Sequence, residues 1–159
     1  MRPENPDDLR LSELYQEVIL DHNRKPRNFK KIAGATAEAH GKNPLCGDDY
    51  FLYLVTDKDG VIRDIGFEGS GCAISKSSAS MMTDAVKGKS AKEAGLLKDD
   101  FIRLLTAENT SGADLEKVGK LKLFEGVRNF PVRVKCAALI WRTLEEALKG
   151  NGNKEISTE

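Results

Sequence analysis

The sequence predicts an α+β fold: a small three-stranded antiparallel sheet covered by helices, in two layers. Three observations carry this. Apolar residues recur at helical spacing near both ends of the chain. Between them, β-type runs flank Asp59-Gly60, a strong hairpin signal. A sheet of three strands has an apolar face that needs a cover, and helices supply it.

Leu11, Leu14, Tyr15, Val18 and Ile19 fall on one face of a first helix, which starts at a cap supplied by Asp7 or Asp8. Pro26 should end it, leaving residues 21–28 as a connection. Ala35, Ala37 and Ala39 alternate with polar neighbours, a weak edge strand. Residues 50–55 are apolar on both faces, as in a central strand covered on two sides. The strand returning from Asp59-Gly60 places Val61, Ile65 and Phe67 together. After Cys72, the spacing of Ile74, Ser78, Met81, Met82 and Ala85 predicts a helix. Its serines are small enough for close packing, and Gly88 ends it. Ser90 and Glu93 form a capping box for the next helix. Gly95 weakens that helix, and Phe101, Ile102, Leu104 and Leu105 continue it. Residues 107–126 read as a polar loop with a short helix near Leu115. Ala137, Ile140, Leu144, Ala147 and Leu148 give a final helix with Cys136 at its mouth.

The chain has 159 residues, 40% of them hydrophobic, which suits one domain over 1–159. Its ordered core is expected from about residue 8 to residue 150, with 151–159 a frayed polar tail. Basic and acidic residues balance at 25 each, so nothing favours nucleic acid or a lipid surface as partner. No apolar run has the length of a membrane span, and the acidic start is unlike a secretory signal. Three cysteines are an odd number for a disulfide framework. Thiols kept reduced in the cytoplasm fit better.

Those cysteines carry the functional signal. Cys46 and Asp48 lie in Asn43-Pro44-Leu45-Cys46-Gly47-Asp48. Cys72 ends Gly69-Ser70-Gly71-Cys72, and Cys136 ends Pro131-Val132-Arg133-Val134-Lys135-Cys136. No two form a CxxC pair. The hairpin brings the Cys46 and Cys72 regions together. Three thiolates and a carboxylate complete a tetrahedral zinc site, and the same groups could hold iron or an iron–sulfur cluster. Four negative charges exceed the two on zinc, so Arg133, Lys135 and Lys76 make sense as compensation. Helix N-termini at Cys72 and Cys136 would favour their thiolates. Spacing does not choose between Asp48 and Asp49, and His22 and His40 read as surface histidines.

The three motifs, in this order, resemble the U-type iron–sulfur cluster assembly family, which includes SufU, IscU and the N-terminal domain of NifU. The resemblance spans roughly residues 11–150. It rests on Asn43-Pro44-x-Cys46-Gly47-Asp48, on Gly69-x-Gly71-Cys72-x-Ile74-Ser75-x-Ser77-Ser78-x-Ser80, and on Phe130-Pro131-x-Arg133-x-Lys135-Cys136. It implies an α+β fold, metal ligands at Cys46, Asp48, Cys72 and Cys136, and a sulfur acceptor at Cys46. It also implies a SufS-like cysteine desulfurase and downstream cluster-assembly proteins as partners, with the chain a monomer or a weak homo-oligomer. Two departures point to the SufU branch, whose members bind zinc and accept persulfide sulfur. Lys135 stands where the scaffold branch has His, and the stretch between Cys72 and Cys136 is longer. The alternatives are a scaffold for a [2Fe–2S] cluster and a zinc-stapled interaction module without chemistry of its own.

Overall fold

The computed structural model describes residues 6–106, 118–149 and 155–157. The elements run α1 (Pro6–Arg24), β1 (Ala37–Asn43), β2 (Asp48–Thr56), β3 (Ile62–Ser70), α2 (Ala73–Val86), α3 (Ala91–Thr106), a 3-10 helix (Gly119–Asn129), α4 (Pro131–Leu148) and β4 (Glu155–Ser157). The sheet has the order β3-β2-β1-β4. The first three strands are antiparallel, and β4 lies parallel to β1. The α+β architecture is as expected, but the sheet has four strands rather than three. Part of the tail returns, with Ile156 opposite Gly41, so β1 is flanked on both sides.

Helices cover one face of the sheet. α4 packs on β1 and β2, and α2 packs on β3 and α4, while α1 lies on α2 and α3 lies on α4. The core between them is apolar: Tyr50, Leu52 and Leu54 of β2 meet Ile65 and Phe67 of β3 and Trp141 of α4. The opposite face of β2 is more open than its composition suggests. Phe51 is 41% exposed there, stacked against His40, so β2 is not covered on both sides.

Four local expectations change. α1 starts at Pro6, which suits the first helical position, so Asp7 and Asp8 lie within the first turn rather than capping it. It runs to Arg24, because a proline restrains only the residue before it. A register shift at Val55/Thr56 puts Ile62, not Val61, in the core beside Ile65 and Phe67. Residues 119–126, read as loop, belong to the 3-10 helix, and the helix expected near Leu115 lies outside the described residues. The cause was visible: Val118, Leu121, Phe124 and Val127 recur every third residue, the 3-10 period, and all four are buried. The capping box forms as expected, with the Glu93 N–H donating to Ser90 Oγ at 3.1 Å and Ser90 Oγ meeting Glu93 Oε1 at 3.1 Å.

Candidate metal centre

The site lies at one end of the sheet, where three chain segments meet. The first is the turn joining β1 to β2. Asn43 pairs with Asp48 across it, and the Cys46 N–H donates to Asn43 O at 3.2 Å. Gly47 has φ 74°, a left-handed conformation that glycine adopts without steric cost. This tight turn leaves Leu45 exposed and Cys46 half-buried. The second segment follows β3, where Cys72 is the N-cap of α2 and its side chain accepts from Ser75 N. The third is α4.

Cys46, Asp48 and Cys136 come together there. Their ligand atoms lie within 4.8 Å of one another, and the Cys46 and Cys136 sulfurs are 3.2 Å apart. Asp48 is buried, yet its two oxygens differ. Oδ1 accepts from the Cys72 N–H at 2.9 Å and from Ser75 Oγ at 3.0 Å. Oδ2 is buried with no hydrogen-bond partner. A carboxylate oxygen buried without a donor is costly, and a cation removes that cost. Two sulfurs beside it make a donor set suited to zinc or an iron–sulfur cluster. The residues present therefore fit a metal.

Cys72 is the member set apart. Its backbone holds Asp48, while its sulfur caps α2, accepting from the Ser75 N–H at 3.4 Å. A thiolate keeps further lone pairs when it accepts an N–H, so this contact does not consume its capacity as a ligand.

Cys136 is not at a helix mouth. α4 begins at Pro131, which takes the first position, so Cys136 is buried in the second turn. The helix-end field fades within the first turn and gives it little help. Burial pushes its thiol up, as do the Cys46 thiol and the charges of Cys72 and Asp48. Asn43 donates Nδ2–H to Cys136 Sγ at 3.6 Å. Asn43 was legible only as a motif letter. Nothing in its spacing marks it as buried against a sulfur.

The remaining candidates lie elsewhere. Asp49 pairs with His40 on the open face of the sheet, and His22 Nδ1 meets Ser80 Oγ at 2.7 Å. The Arg133 guanidinium sits over the Phe130 ring at 4.9 Å. Lys76 lies over the Phe29 ring at 5.1 Å. Lys135, just before Cys136, is half-buried.

The family described as NifU-like N terminal domain matches residues 14–137. The chain belongs to that family. Among its relatives is the iron–sulfur cluster assembly scaffold protein IscU of Streptococcus pyogenes, 39% identical over 150 residues and covering 94% of this chain and 92% of that one. The zinc-dependent sulfurtransferase SufU of Bacillus subtilis is 38% identical over 138 residues, covering 87% and 91%. The crystal structure of SufU from Fervidobacterium islandicum superposes with a TM-score of 0.78 at 37% identity, covering 83% of this chain and 94% of that one. Among the described residues of this NifU-like chain, no helix is long and apolar enough to cross a membrane.

Proposed function

We propose that this chain binds one zinc ion through Cys46, Asp48, Cys72 and Cys136 and accepts sulfur at Cys46 from a cysteine desulfurase. The gathering of Cys46, Asp48 and Cys136 around an unpartnered buried carboxylate oxygen carries the reading. The relationship to Bacillus subtilis SufU, and Lys135 in place of a histidine, supports zinc over a cluster.

Bound zinc would keep the thiols ionised at neutral pH. Cys46 and Cys72 are both half-buried and Cys136 is buried, but the Cys72 sulfur caps α2, whereas Cys46 lies on a surface turn beside exposed Leu45, which suits it to meet a partner. Its thiolate attacks the terminal sulfur of a persulfide on the desulfurase. A new S–S bond forms at Cys46, the donor's S–S bond breaks, and the donor cysteine leaves as a thiolate. The proton on the transferred sulfur travels with it, so no outside oxidant or reductant is needed. Arg133 and Lys135 precede Cys136 in the same helix, and their positive charge would offset part of the excess negative charge of the loaded site.

Protein purified without air should contain one zinc per chain and speed sulfide release by a cognate desulfurase. Cys46→Ser should abolish that stimulation, and intact mass after turnover should place the added sulfur on Cys46. The relationship to the Streptococcus pyogenes scaffold favours a second reading, in which the same residues hold a [2Fe–2S] cluster during its assembly. Stoichiometric iron with a cluster absorption spectrum would establish that reading instead. Zinc without any effect on the desulfurase would leave a zinc-stapled interaction module.

A further inference from the structure

We infer that Ser75 and Tyr50 are positioning residues that fix Asp48 as a one-oxygen metal ligand. The inference rests on the zinc reading of the site and concerns how this chain holds its carboxylate there.

Ser75 Oγ has one proton and two acceptor-only oxygens within reach, Asp48 Oδ1 at 3.0 Å and Cys72 O at 3.0 Å, so in either case the serine is the donor. Tyr50 OH, 3.0 Å from Ser75 Oγ, must then be the donor in that contact. Tyr50 thus holds Ser75 in place, and of the two Asp48 oxygens only Oδ1 has the serine hydroxyl as a partner. The Cys72 N–H adds a second donor to the same oxygen at 2.9 Å, while Oδ2 receives none. Both carboxylate rotation and the choice of free oxygen are fixed by this asymmetry.

The surroundings are built for it. Tyr50, Ser75 and Asp48 are all buried. A Cβ on Gly71 would meet Asp48 Oδ1 at 2.5 Å, Ser75 Oγ at 2.5 Å and Tyr50 OH at 2.6 Å, so only a glycine leaves room for the three oxygens. Ser75 also lies 3.0 Å from Cys72 O and 3.6 Å from Cys72 Sγ, which places it between two of the proposed ligands. A serine in the first turn of a helix can serve as an ordinary local hydrogen-bonding group. Tyr50 comes from a different element and has no such local reason to reach it.

The test is zinc release to a chelating dye from wild type, Ser75→Ala, Tyr50→Phe, Asp48→Ala and the double variant Asp48→Ala/Ser75→Ala. Melting of each zinc-free protein is followed in parallel. Ser75→Ala should release zinc roughly tenfold faster or more, in line with the loss of a hydrogen bond that orients a ligand. Tyr50→Phe should act in the same direction by a smaller factor. With Asp48 already gone, Ser75→Ala should add nothing. Release at the wild-type rate, or an equal acceleration with and without Asp48, would overturn the inference, the latter by showing an effect on the fold. If Ser75→Ala does not fold, Tyr50→Phe with and without Asp48 decides by the same criterion. Should Asp48→Ala itself release zinc at the wild-type rate, the ligand assignment falls first and this inference with it.

Discussion

Alternation along β2 sends two neighbouring carboxylates to opposite faces of the sheet. Asp48 turns toward Cys46 and Cys136, and Asp49 toward His40. Asp48→Ala is therefore expected to hasten zinc exchange and impair sulfur acceptance. Asp49→Ala should exchange zinc as wild type does, because its carboxylate serves a half-exposed pair; dye competition on both variants checks this. The sequence left these two residues level, since a turn accepts an aspartate at either place. What separates them is strand parity, which depends on where β2 starts. The same dependence hid Tyr50, Ser75 and Asn43. Tyr50 and Ser75 looked like core and helix residues, and their link is visible only once Asp48 Oδ1 and Ser75 Oγ lie 3.0 Å apart.

Among elements, the 3-10 helix shows how period, more than polarity, decides a segment. Residues 119–126 contain two glycines and several charges, and that composition suggested a loop. Leu121, Phe124 and Val127 nevertheless form a buried line. Phe124 touches both Tyr15 of α1 and Phe101 of α3 edge-on, at centroid distances of 6.5 and 5.6 Å. Phe124→Ala should cost about 3–5 kcal/mol, measured as a lower urea midpoint at unchanged slope. The helices α2 and α4 were legible because their apolar residues, Met81, Met82 and Val86 in one and Leu139, Ile140 and Leu144 in the other, are buried at the helical period. The start of α4 was not, because Pro131, Val132 and Arg133 are exposed and carry no periodic signal. That misplacement moved Cys136 from the second turn to the mouth of its helix. The β4 strand escaped because three residues are too short for any alternation to register.

For the whole molecule, stability should respond to acid and to metal. Glu145 is held below its ordinary value of 4.5 by the hydrogen bond from Lys98, and Asp57 below 3.8 by the Val61 N–H and Arg63. Both carboxyls take up protons more readily in the unfolded chain. Their contribution is therefore complete above the ordinary carboxylate values and disappears as pH falls through the lower folded ones. Urea midpoints should fall from about pH 5 toward about pH 3, and Lys98→Met should flatten part of that slope. Metal acts through linkage. If free zinc stands about a thousandfold above its dissociation constant, binding adds about 4 kcal/mol to stability. At roughly 2–4 °C per kcal/mol for a chain of this size, complete chelation should lower the melting temperature by roughly 8–16 °C. An unchanged melting curve would deny the metal a share in folding. The spacing of the two touching sulfurs has a consequence for synthesis. Cys46 and Cys136 are 90 residues apart. At about 5–20 residues per second, the ribosome takes roughly 5–18 s to pass from one to the other. During that interval the nascent chain offers Cys46 and Asp48, and later Cys72, without the sulfur that closes the group. On the proposed zinc site, metal capture would come at the end of translation, and a chain stopped before Pro131 should lose zinc in equilibrium dialysis under conditions where the complete chain retains it.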